Sequence, residues 1–172
     1  MAKKKSKKPI LTAGMLYDKM RGTGYEARSK KCFVIKFSQP THTRPIMAFN
    51  VKCKPLTGSM RTHTAYIKYS NENIPLARQH LEMFCTCESW RYQGTAYIAT
   101  KKGFSLFAHT REKRFPKIRD PKLQHFLCKH LIHILAHIKN KRPVAFIQTP
   151  ARTNVTPDIK PNKDKKRKRK EK

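Results

Sequence analysis

Leu81-Glu82-Met83-Phe84-Cys85-Thr86-Cys87-Glu88-Ser89-Trp90 is the stretch in which this chain changes period. Up to Cys87 it reads as extended backbone. Beyond Cys87 the residues Trp90, Tyr92, Tyr97 and Ile98 follow a helical pattern, with Ser89 as a candidate N-cap and Gly103 as a stop. Gly94 inside that stretch weakens the helix by about 1 kcal/mol relative to Ala. On extended backbone, side chains two apart share a face, so Cys85 and Cys87 can offer both sulfurs to one ion.

Working back toward the N-terminus, the same extended character recurs. Residues 32–37 alternate, with Phe33, Ile35 and Phe37 forming one apolar face and Cys32, Val34 and Lys36 the other. Residues 46–53 repeat the pattern with Met47, Phe49, Val51 and Cys53 on one side, and residues 64–69 make a third run. Loops containing Pro40, Pro45, Pro55, Gly58 and Pro75 separate them. Residues 11–20 suit a short helix ended by Gly22 and Gly24. Three or four short strands joined by loops, followed by helical sequence, predict an α+β fold built on a small antiparallel sheet.

Working forward, Cys128-Lys129-His130 answers the first two thiols after 40 intervening residues. Leu131, Ile134, Leu135 and Ile138 fall at i, i+3, i+4 and i+7, the stripe of a helix ending near Asn140. Within a regular helix, residues two apart are separated by about 200° around the axis and cannot share a ligand. Cys128 must therefore precede the helix and His130 occupy its first turn. Three thiols and an imidazole are the donor set of a closed tetrahedral site, so one structural Zn2+ held by Cys85, Cys87, Cys128 and His130 is expected, with no open position for chemistry. His133 and His137, at i and i+4, offer a rival pairing with Cys85 and Cys87 that leaves Cys128 without a role. Cys32 and Cys53 are expected as core or cross-strand neighbours. No secretory leader or membrane span is expected, and in an intracellular, reducing setting clustered cysteines read as metal ligands more readily than as disulfides.

Charge directs attention to polyanions. The chain has 172 residues, with 40 Lys and Arg against 10 Asp and Glu, a formal net charge of +30. Residues 1–9 carry +5 and residues 151–172 carry +7, which leaves +18 on residues 10–150. The body of the protein is thus basic in its own right, and nucleic acid is the first partner to expect. Residues 1–9 and 149–172, with almost nothing apolar to bury, read as disordered basic arms flanking a single domain at 10–148 whose metal motif spans 81–138. Inside the segment bracketed by the ligands, Lys101, Lys102, Arg111, Lys113, Arg114, Lys117 and Arg119 interleave with Phe104, Phe107 and Phe115 on a basic loop at 104–119. Together with Lys165, Lys166, Arg167, Lys168, Arg169 and Lys170 of the C-terminal arm, they are the candidate phosphate contacts, sequence-independent and salt-sensitive.

The two motifs together, Cys85-Thr86-Cys87 and Cys128-Lys129-His130-Leu131, resemble the SWIM zinc finger, a Cys-x-Cys followed by a variable insert and a Cys-x-His at a helix start. The resemblance covers roughly residues 81–138, and the insert is longer than in the transposase and kinase members. More loosely, Cys85-Thr86-Cys87-Glu88-Ser89-Trp90-Arg91-Tyr92, then Asp120-Pro121-Lys122-Leu123, then Cys128-Lys129-His130 is similar to small basic virion structural proteins of tailed bacteriophages. That resemblance implies a particle component contacting DNA or other virion subunits, found in the virion and the bacterial host cytoplasm. A cellular DNA- or protein-binding regulator is the alternative, and in a eukaryotic chain the 165–170 run would act as a nuclear localisation signal.

Enzymatic readings find little support. The seven acids of the domain, Asp18, Glu26, Glu72, Glu82, Glu88, Glu112 and Asp120, are scattered singly, and no phosphate-binding loop or nucleophile elbow is present. His42, His63, His80, His109 and His125 could serve a basic nuclease as general base, a distant alternative without a visible partner group. Neither a membrane nor a small-molecule substrate is expected.

Overall fold

Thr12 opens the first helix by a side-chain cap: its Oγ1 accepts the Met15 N–H at 3.3 Å. The computed structural model describes residues 11–55, 58–107 and 112–147, and the expectations for the two basic arms lie outside them. Helix α1 (Ala13–Met20) buries Ala13, Leu16 and Met20 along one side. Gly22, at φ +72°, turns the chain out of it. Gly24 does not end a helix, contrary to expectation; it begins a second one, α2 (Gly24–Ser29). Thr23 Oγ1 accepts the Glu26 N–H, and Glu26 reaches back to the Gly22 N–H, a close relative of the capping box.

Strands β1 (Cys32–Ser38), β2 (Ile46–Cys53), β3 (Thr62–Lys68) and β4 (Glu82–Cys85) form one antiparallel sheet in sequential order. The α+β architecture read from the sequence is the one observed. β2 has the bounds and the inward face expected, with Met47, Phe49, Val51 and Cys53 all buried. β1 departs from expectation. Its register slips between Val34 and Lys36, so Val34 pairs with Val51 but Phe37 pairs with Phe49. One residue in excess, Ile35, makes a bulge that switches sides along the strand. Phe37 consequently turns inward and stacks on Phe49 at 4.7 Å, whereas Phe33 and Ile35 stay 45% and 48% exposed.

Directly paired at the start of that ladder, Cys32 and Cys53 are joined as a disulfide. They are the cross-strand neighbours expected, but oxidised, against the expectation of reduced cysteines. Cys85, Cys87 and Cys128 are free thiols.

The extended segment expected at 81–87 pairs only as far as Cys85; Cys87 keeps an extended backbone and becomes the N-cap of α3 (Glu88–Tyr92) in place of Ser89. Gly94, in the left-handed region at φ +84°, does more than weaken the helix: it splits it, and α4 (Thr95–Lys102) begins afresh. Gly103 closes α4 as expected, also left-handed. The chain then returns to the sheet. Met83 N–H donates to the Phe104 carbonyl at 2.8 Å and Leu106 N–H to the Met83 carbonyl at 3.0 Å, so the expected basic loop starts as a parallel bridge on the edge of β4.

Helix α5 (Lys129–Ile138) closes the layer. It packs on α1, α2 and the first three strands through Leu131, Ile132, Ile134, Leu135 and Ile138. Its stripe matches the periodicity of the sequence, extended by Ile132.

Candidate metal centre

Local structure places each of the four ligand candidates. Cys85 is the last residue of β4 and faces inward with Met83, the sheet side that α5 covers. One residue on, Thr86 holds the chain straight: its N–H donates to the Thr64 carbonyl at 3.0 Å, and its hydroxyl accepts the Thr64 N–H at 2.9 Å. Cys87 therefore points the same way as Cys85, and its Sγ caps α3 by accepting the Trp90 N–H at 3.3 Å. Cys128 is the N-cap of α5 and His130 sits in its first turn.

The donor atoms of Cys85, Cys87, Cys128 and His130 all lie within 4.8 Å of one another, and Cys85 Sγ is 3.7 Å from His130 Nδ1. All four residues are buried, none more than 3% exposed. The group could hold a metal ion. Burial pushes the Cys85 and Cys128 thiols well above the ordinary range, while hydrogen bonds from Cys128 and Cys85 pull Cys87 well below it. Three thiols and an imidazole are thus crowded together out of water, and the charge they carry as ligands is a cost that a bound cation offsets.

His133 and His137 stay out of this group. His133 Nδ1 donates to the Ser29 carbonyl at 3.1 Å, fastening α5 to α2, and His137 is exposed with its ring 4.8 Å from that of His133. His63 comes nearer, its ring centroid 4.8 Å from that of His130. It lines a cleft of about 460 Å³ with Arg61, Glu88 and Lys129 beside the cluster.

The insert between the ligands is a surface with structure of its own. Lys101 and Lys102 are exposed on the last turn of α4, and Lys113, Arg114, Lys117 and Arg119 are exposed along the segment after residue 111. Arg111 and the run 165–170 lie outside the described residues. The three phenylalanines do not share one fate. Phe104 is wholly buried, and Phe107 is half-buried against Tyr66 and Phe84. Phe115 stays exposed, edge-on to Tyr97 at 5.6 Å.

Two residues of this insert, quoted above within a motif, were given no role of their own by the sequence. Asp120, read as one isolated acid among seven, is buried and accepts the Gln124 N–H at 2.8 Å and the His125 N–H at 3.0 Å. The dipeptide Asp120-Pro121, a turn opener, was the available signal. Arg91 was the other: next to the exposed Tyr92 at the end of α3, its guanidinium lies 5.9 Å from the ring centroid. Searches of protein-family models, of curated proteins and of solved structures return no match to this chain.

Proposed function

We propose that the protein is a non-enzymatic, zinc-stabilised structural protein whose basic insert contacts nucleic-acid phosphates. The observation that carries this reading is the buried set of three thiols and one imidazole, with donor atoms within 4.8 Å, standing at both ends of a cationic segment. Soft thiolates with one imidazole suit zinc, and a tetrahedral zinc with Zn–S near 2.3 Å needs donors about 3.5–3.8 Å apart, a small contraction of the present cluster. Cys85, Cys87, Cys128 and His130 would hold the ion, which supplies cross-linking and charge compensation. With four protein donors no position is left for water or substrate.

Of the settings that sequence resemblance implies, a phage particle fits a small cationic protein built around a structural metal, and a cellular SWIM-type regulator is the alternative. Purified particles should contain the chain at fixed copy number; its absence from them removes the virion setting and leaves the cellular one.

The metal assignment has a direct test. Elemental analysis of the purified protein should give one zinc per chain, and Cys128→Ser should lose the metal together with a large part of the stability. Unchanged zinc content in Cys128→Ser excludes this ligand set. Binding to duplex DNA should weaken steeply with salt and show no dependence on sequence.

A further inference from the structure

Beside the metal cluster, two clefts of about 490 and 270 Å³ share Arg91, Tyr92, Glu112 and Arg114 as walls and so form one trough. It runs from Phe84 and Trp90 at the end of the sheet to Tyr97 and Phe115 on the insert. The trough is aromatic and cationic at once. Tyr92 is 57% exposed and Phe115 45% exposed, and Phe115 meets Tyr97 edge-on. Arg91 lies over the Tyr92 ring, and the Lys101 ammonium lies 5.6 Å from the Tyr97 ring centroid. The one acid among the described residues of its lining, Glu112, is taken up by Arg114, whose Nε and Nη2 donate to the two carboxylate oxygens at 3.2 and 3.1 Å. Arg114 holds the Glu112 carboxyl below its ordinary range, so the pair stays ionised and adds no net charge. Arg91 is the further cation of the described lining, and Lys101, outside it on the last turn of α4, adjoins it through Tyr97.

Exposed aromatic faces interleaved with cations are what a single strand of nucleic acid requires: rings for its unstacked bases, cations for its backbone. A duplex keeps its bases stacked and meets only the cations. Resting on the nucleic-acid reading above, the geometry points to this trough as a binding site for single-stranded DNA, with Tyr92 and Phe115 as stacking platforms and Arg91 and Lys101 as phosphate contacts. DNA is chosen over RNA because Arg114 already draws on both oxygens of Glu112, which leaves this lining carboxylate less available to accept from a 2′-hydroxyl.

The test uses the zinc-loaded full chain and fluorescence anisotropy with a labelled oligo(dT), a duplex of equal length and the matching oligo(rU), each at low and moderate salt. Tyr92→Ala and Phe115→Ala should each raise the Kd for oligo(dT) about tenfold and leave duplex binding within twofold. Tyr92→Trp should restore it. Neither side chain belongs to the buried core, and unchanged zinc content and melting temperature verify the fold of each variant. Equal losses on single strand and duplex, or no loss on oligo(dT), overturn the trough assignment; tighter binding of oligo(rU) than of oligo(dT) overturns the choice of DNA. Failure of the wild-type chain to bind any of the three at low salt overturns the phosphate reading itself. If Lys113→Ser/Lys117→Ser/Arg119→Ser weakens all three probes while the aromatic variants are silent, phosphate contact stands and the trough falls.

Discussion

At Gly94 the backbone has φ +84°, and a Cβ built there would lie 2.7 Å from an Asp120 carboxylate oxygen and 2.8 Å from the Asp120 Cβ. Two costs coincide at this one residue. A side chain in the left-handed region costs about 1–2 kcal/mol, and the buried Asp120 would have to move away from the two N–H groups it satisfies. Gly103 provides the control, because it has φ +78° but nothing within 4 Å of its ideal Cβ. Gly94→Ala should therefore lose about 3 kcal/mol, and Gly103→Ala only about 1 kcal/mol, in urea denaturation of the zinc-loaded protein. Equal losses would mean that Asp120 yields without cost. The pair also separates conformational strain from packing, which a single glycine variant does not.

The first strand pair carries the clearest prediction at the scale of the element. Cys32 and Cys53 close a loop of 21 residues between β1 and β2, and a cross-link of that length contributes about 3 kcal/mol through the unfolded chain. Alkylation of the denatured, chelated protein without reductant should modify three cysteines, leaving this pair protected. Cys32→Ala/Cys53→Ala should lose about 2–4 kcal/mol and keep its zinc. Five modified cysteines would show the pair to be reduced. Elements with one strong period were legible beforehand: the alternation of Met47, Phe49, Val51 and Cys53 gave β2 and its inward face, and the stripe from Leu131 to Ile138 gave α5 and the place of Cys128 before it. What escaped lacked a period to read. Phe33, Val34, Ile35 and Phe37 are apolar on both faces, so the side switch at Ile35 leaves no trace in the alternation. Six residues of α2 are too few for a stripe, although Thr23 and Glu26 spelled out its cap. Cys87 was legible as a ligand but not as an N-cap, a duty its sulfur performs in place of an oxygen.

For the molecule as a whole, charge opposes folding and favours binding, and salt separates the two. Among the described residues, exposed or partly exposed acids engage Lys68, Arg61 and Arg114 in ion pairs, which accounts for a small part of a net charge of +30. The remaining cations repel one another across a surface where the Debye length is about 10 Å at 0.1 M salt and about 3 Å at 1 M. Raising salt from about 0.05 to 0.5 M should therefore raise the melting temperature of the zinc-loaded protein, since screening relieves the compact state more than the expanded one. Over the same range affinity for a polynucleotide should fall, by roughly a thousandfold if about four phosphates are contacted. Polyanion and salt become alternative stabilisers: at low salt, DNA should raise the melting temperature, and at high salt its effect should vanish. A melting temperature that falls with salt, measured alongside the anisotropy titration, would show that the described ion pairs outweigh the repulsion. The cationic surface would then be stabilised by its own acids, and nothing in its charge would call for a polyanion partner.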